Sequence, residues 1–179
     1  MFRVFFSYSH KDRELRDEME KHLTILTRQG VIGTWHDRDI TAGEDWAQRI
    51  DDELERADII LLLVSVDFLA SEYCYDREMN RAMARHDAGE AVVIPVILRP
   101  CDWRNTPFAQ VLCAPTDGNP VSHYKSRDDA FLEVTGEIRR AIEKLRQPRE
   151  TELADSEAED GPEHWILKTL NHKEQVDSL

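Results

Sequence analysis

Two stretches of the chain are apolar without a break: DIILLLVS at 58–65 and AVVIPVIL at 91–98. A strand with one face in water alternates apolar and polar residues. These do not, so both of their faces must be covered, as in the middle of a parallel sheet. The segments around them fit that demand. RVFFSY (3–8) reads as a third buried strand and VIGTW (31–35) as a short one, with VSHY (121–124) as a last strand. Between them lie helical patterns. Leu15, Met19, Leu23 and Leu26 recur at helical spacing before a stop at Gly30. Trp46, Ile50 and Leu54 share one face of 46–57, and a further helix runs from about 69 to Gly89. Ser126, followed by Asp128 and Asp129, opens an amphipathic helix to 146. Alternating strands and helices imply an α/β layer of flavodoxin-like type. Five parallel strands are expected, with helices on both faces. Functional groups then gather beyond the carboxyl ends of the strands, at Ser7–Asp12, Trp35–Trp46, Ser65–Glu78 and Arg99–Trp103.

The expected domain spans 1–147, with Pro148 ending its last helix. Residues 148–162 read as an acidic flexible linker, and 163–179 as a short tail, helical around Trp165, Ile166, Leu167 and Leu170. The net charge is −13, and residues 147–179 hold nine acids against three bases. Acidity on this scale argues against a nucleic-acid surface, which needs clustered Lys and Arg. The opening MFRVFFSYSHKDRE turns polar within nine residues. No apolar run reaches the roughly 18 residues of a membrane span. The three cysteines are scattered at 74, 101 and 113, as suits reduced thiols, so a cytoplasmic location is expected.

Several chemistries drop out. There is no GxGxxG after the first strand, no GxxxxGK[ST] and no GxSxG. None of the seven histidines pairs with another His or Cys at a familiar metal-ligand spacing, so no metal site is expected. A phospho-acceptor receiver needs an acid ending the third strand, where Ser65 stands. One segment stays open: LASEYCYDREMNRAM (69–83), which carries Glu78 on the helix after the third strand. Either Glu78 is a surface acid paired with Arg81 or Arg85, or it turns into a cleft and does chemistry. Helical spacing sets Cys74, Tyr75, Glu78, Met79 and Ala82 along one side, with small groups at Cys74 and Ala82 flanking the carboxylate.

Four stretches in order resemble the Toll/interleukin-1 receptor (TIR) domain family. FFSYSHKD (5–12) is similar to its F-x-S-Y-x-x-x-D opening. WHDRDITAGEDW (35–46) is similar to its BB loop. ADIILLLVSVDFLASEYC (57–74) resembles the third strand and the S-x-x-[FY]-x-x-S segment after it, and EMNRAM (78–83) the acid-bearing helix. The resemblance covers residues 2–146.

It implies one of two functions. Some TIR domains are non-enzymatic interaction scaffolds. Others cleave NAD⁺ at the nicotinamide–ribose bond, with NAD⁺ as substrate and not as a bound coenzyme. In these a glutamate on the helix after the third strand is catalytic, and Glu78 matches it by element order. A Trp usually stands four positions before that glutamate; here it is Cys74. Ser7, Tyr8 and Ser9 end the first strand, where a polar cluster can hydrogen-bond the phosphate or ribose of a substrate, and Tyr73 and Tyr75 are candidates either for stacking on a base or for packing under the helix. Asp37 and Arg38 lie in the BB-like loop, which in the family gates the pocket. Ser9 is equally suited to capping the first helix. Asp39, Ile40, Gly43 and Trp46 would form a self-association loop joining TIR domains into oligomers or filaments. An activating partner protein and a bacterial immune or effector role belong to the same expectation.

Overall fold

The computed structural model describes residues 1–35 and 45–159, with the side chains of Trp46, Tyr73 and residues 148–159 left aside. Four strands form one parallel sheet: β1 (Phe2–Tyr8), β2 (Ile32–Trp35), β3 (Ile59–Val64) and β4 (Val92–Ile97). Their order is β2-β1-β3-β4. The central register sets Ser7 opposite Leu62 and Tyr8 opposite Leu63. Every residue of β3 is buried, as the unbroken apolar run demands. Because the chain steps from β1 outward to β2 and then back across to β3, the topological switch point lies between the ends of β1 and β3.

Helices cover both faces. One core gathers Phe5, Ile60, Leu62 and Val64 from the strands. Against them pack Ile50 and Leu54 of α3 (Trp46–Arg56), with Phe68, Met79, Ala82, Trp103 and Phe108. Strand alternation leaves Val4, Phe6, Ile59, Leu61 and Leu63, all buried, for the opposite face. Met19 of α1 (Arg13–His22) and Leu26 of α2 (Thr24–Arg28) are buried too. Gly30, with φ of +66°, takes the left-handed conformation that turns the chain from α2 into β2. After β3 come the short α4 (Val66–Leu69), a π-helical stretch Tyr73–Met79, and α5 (Asn80–Asp87). Buried Arg85 donates to the carbonyls of Leu54 and Ala57, closing the end of α3.

Two expectations are corrected. The fifth strand at 121–124 is absent: Val121–His123 forms a three-ten turn. Beyond β4 the chain makes a single bridge, Val96 to Ala114, before Pro115 and Pro120 remove two backbone donors. The last helix, α6 (Arg127–Glu159), does not stop at Pro148. Proline removes one hydrogen bond of a helix, and the Glu- and Ala-rich sequence beyond it favours helix. The chain divides into two compact units, Met1–Ala141 and Ile142–Leu179. The site lies in the first. The tail at 163–179 falls outside the described residues. Among the described residues, no helix is long and apolar enough to cross a membrane.

Candidate functional site

A cavity of about 350 Å³ opens at the carboxyl end of β1, beside the switch point. Phe5, Phe6 and Tyr8 line it from the strand, and Ser9, His10 and Lys11 from the turn that follows. Trp35 closes it from β2, Ile50 from α3, and Ser71, Cys74 and Glu78 from the segment after β3. The size suits a small-molecule site. Among the described residues, the walls combine aromatic and aliphatic surface with one carboxylate and one ammonium group.

Glu78 is buried, at 5% exposure, so it is not a surface acid. The two arginines that might have paired with it are engaged elsewhere. Arg81 binds Glu55, and Arg85 reaches backbone carbonyls. Instead the Ser7 hydroxyl donates to Glu78 Oε2 across a sequence separation of 71. Glu78 is carried by the π-helical stretch Tyr73–Met79, a geometry with i→i+5 hydrogen bonds that recurs at functional sites. Cys74 lines the cavity too, and its thiol contacts the Tyr8 carbonyl at 3.4 Å. Cys74 and Glu78 thus both line the cavity, whereas Tyr75, Met79 and Ala82, expected along the same side, pack in the core.

Other candidates divide. Tyr8 is buried with the Arg16 guanidinium 5.1 Å from its ring centroid and the His10 ring at its edge. Ser9 both lines the cavity and caps the turn at His10–Asp12 by accepting from the Lys11 backbone. Ser7 is 1% exposed and lies behind the cavity wall. Tyr75 packs against the core rather than lining the cavity. Asp37, Arg38, Asp39, Ile40 and Gly43, and the side chains of Trp46 and Tyr73, lie outside the described residues.

His10, Lys11, Trp35 and Ser71 fall within the segments expected beyond the strand ends, but the sequence does not single them out as cavity residues. Trp35 stacks on Phe5, ring centroids 5.5 Å apart, so it is at once a core anchor and a wall. Ser71 also accepts from the Cys74 backbone N–H. A second network joins the same strand ends. Asp12, 2% exposed, accepts the Ser65 hydroxyl and two N–H groups of Arg99, at 3.0 and 2.7 Å. Arg99 also binds Asp67, which holds Lys11 at 2.9 Å. The Arg99 hydrogen bond, then the one from Lys11, keeps the Asp67 carboxyl below its ordinary range. Among the described residues no group of His, Cys, Asp and Glu is placed to hold a metal ion.

Residues 4–133 match the family model for the TIR domain, and the chain belongs to that family. It is 59% identical over 138 residues to the uncharacterized protein y4lF of Sinorhizobium fredii (strain NBRC 101917 / NGR234). That match covers 77% of this chain and 43% of the relative, so the chain spans less than half of that protein's length. Among solved structures it is similar to the TIR domain of the Toll-related receptor TRR-2 from Hydra magnipapillata, with a TM-score of 0.54 and 23% identity. That match covers 76% of this chain and 97% of the receptor domain. At this identity it speaks for the fold alone.

Proposed function

We propose that this TIR domain cleaves NAD⁺ at the nicotinamide–ribose bond, with Glu78 as the catalytic carboxylate. The observation that supports it most is Glu78 itself: a buried acid in the wall of an aromatic-lined cavity at the switch point of the sheet. Burying a carboxylate is costly. Glu78 bears that cost beside space for a ligand, which is what favours an enzyme over a scaffold here.

The chemistry fits a lone acid. As the C1′–N bond breaks, its electron pair leaves with nicotinamide, which departs neutral from a cationic ring. No general acid is needed. Positive charge develops on the ribose, as in glycoside hydrolysis. A fixed carboxylate stabilises that charge and accepts from the ribose hydroxyls. A water oxygen then bonds to C1′ and releases a proton, giving ADP-ribose. Attack by the adenine ring would give a cyclic product instead. Trp35 and Tyr8 offer ring surface to the nicotinamide or the base, and Lys11 offers positive charge to the pyrophosphate.

The proposed enzyme works as an assembly, through the loop at 35–46 and a neighbouring subunit. A head-to-tail contact of this kind builds open arrays. Specific activity then rises with protein concentration, in step with light scattering on the same samples. The direct test is incubation of the purified chain with NAD⁺ and chromatography of the products. Nicotinamide release with ADP-ribose or a cyclic isomer supports the reading. Intact NAD⁺ at high protein concentration, in samples where scattering shows assembly, contradicts it.

A further inference from the structure

We infer that Ser7 is the positioning residue of the site: its hydroxyl sets the plane of the Glu78 carboxylate, and it does not touch the substrate. This rests on the reading of Glu78 as the reactive acid. Ser7 lies on β1 and pairs directly with Leu62 of β3, two residues beyond Phe5, where the described pairing with β2 ends. It is 1% exposed and is not part of the cavity wall. A serine hydroxyl has one proton to donate, and this one goes to Glu78 Oε2. It cannot at the same time be given to a phosphate or a ribose.

The mechanical consequence follows from where the two groups sit. Glu78 has three side-chain torsions and stands on a π-helical stretch with α-helical neighbours on either side. Ser7 stands on the second strand of a four-stranded sheet. A hydrogen bond to one carboxylate oxygen ties a movable group to a rigid one and fixes the last torsion. Phe5, two residues before Ser7 and on the same face, stacks on Trp35 in the opposite part of the wall. Thus β1 sets the position of the carboxylate and of the aromatic wall together. An acid that stabilises charge on a ribose needs just such a fixed placement, since a displacement of about 1 Å can cost about a hundredfold in rate.

The test is Ser7→Ala. Alanine removes the hydroxyl and adds no bulk. With NAD⁺ as substrate, kcat is expected to fall about tenfold or more while KM stays within about twofold. A direct probe is the ¹³C resonance of the Glu78 side-chain carboxyl, assigned by its disappearance in Glu78→Gln. That resonance is expected to move in Ser7→Ala, because its hydrogen-bond donor is gone. A rise in KM with kcat unchanged would make Ser7 a substrate contact and overturn the inference. An unmoved carboxyl resonance would overturn it whether or not the protein turns over NAD⁺. A moved resonance in a protein that leaves NAD⁺ intact would uphold the Ser7–Glu78 link and refute the proposed reaction instead.

Discussion

Asp12 and Glu78 are both buried acids at the same edge of one sheet, and each is gripped by a serine hydroxyl. Ser65, just after β3, holds Asp12, and Ser7, near the end of β1, holds Glu78. What lies beyond the serine separates them. Asp12 meets the Arg99 guanidinium, which also reaches Asp67 and so ties the turn after β1 to the ends of β3 and β4. Glu78 meets a cavity. Similar local chemistry thus serves two ends. One carboxylate holds loops together; the other, under the proposed function, is held ready for a substrate. Burial of an acid alone does not mark a catalytic group. Burial beside space for a ligand is what supports the proposal for Glu78.

The largest expected effect follows from that contrast. Asp12→Asn should lower stability by about 2–3 kcal/mol, because it leaves the half-buried Arg99 facing a neutral group and weakens the bond from Ser65. Glu78→Gln should change stability by no more than about 1 kcal/mol, since the amide oxygen still accepts from Ser7 and a buried charge is removed. Thermal melts of the two variants compare them directly. Equal losses would break the distinction between a structural and a functional acid.

Arg99→Ala is next, at about 2 kcal/mol. The double variant Asp12→Asn/Arg99→Ala should lose less than the sum of the two, as expected for groups in one network. Additive losses would mean that the two residues act separately.

The fold was legible where burial leaves a pattern. Unbroken apolar runs gave away β3 and β4, and the element order put Glu78 beyond β3. The failures have physical causes. VSHY has the composition of a strand, but the sheet edge at β4 is met by a proline-rich chain that cannot build a ladder. Pro148 reads as a stop, yet the helix runs on through the Glu- and Ala-rich sequence beyond it. The π-helical turn beneath Glu78 has no sequence signature. The partners of the two serines were hidden for another reason: hydrogen bonds over separations of 71 and 53 residues are set by strand order, which local patterns do not encode. Lys11 was passed over because it reads as an ordinary first-turn cation. His10 and Ser71 likewise read as solvated loop residues.

A smaller effect depends on pH. The folded-state pKa of Asp67 is depressed by its hydrogen bonds, so its contribution is complete above the ordinary value of 3.8 and is lost as the pH falls below it. Arg99 is the main cause, so the gap in melting temperature between wild type and Arg99→Ala should narrow from about pH 5 to about pH 2.5. A constant gap would remove Asp67 from the account.

The smallest effect on stability is expected from Lys11→Ala, within about 0.5 kcal/mol, because the lysine is exposed and its pairing with Asp67 is a surface salt bridge. Lys11 nonetheless lines the cavity. KM for the anionic dinucleotide should therefore rise several-fold with kcat little changed. An unchanged KM would confine Lys11 to the Asp12 network.

The central claim is that Glu78 is a catalytic carboxylate, and one measurement bears on it most directly: nicotinamide release from NAD⁺ by wild type and Glu78→Gln, at matched concentrations high enough for assembly. The substitution keeps the size of the side chain and the bond from Ser7 and removes the charge. The account predicts release by the wild type and a loss of about a hundred- to a thousandfold in the variant, of the order seen when a transition-state charge loses its partner. A wild type that cleaves NAD⁺ and a folded Glu78→Gln that keeps most of that rate would contradict it.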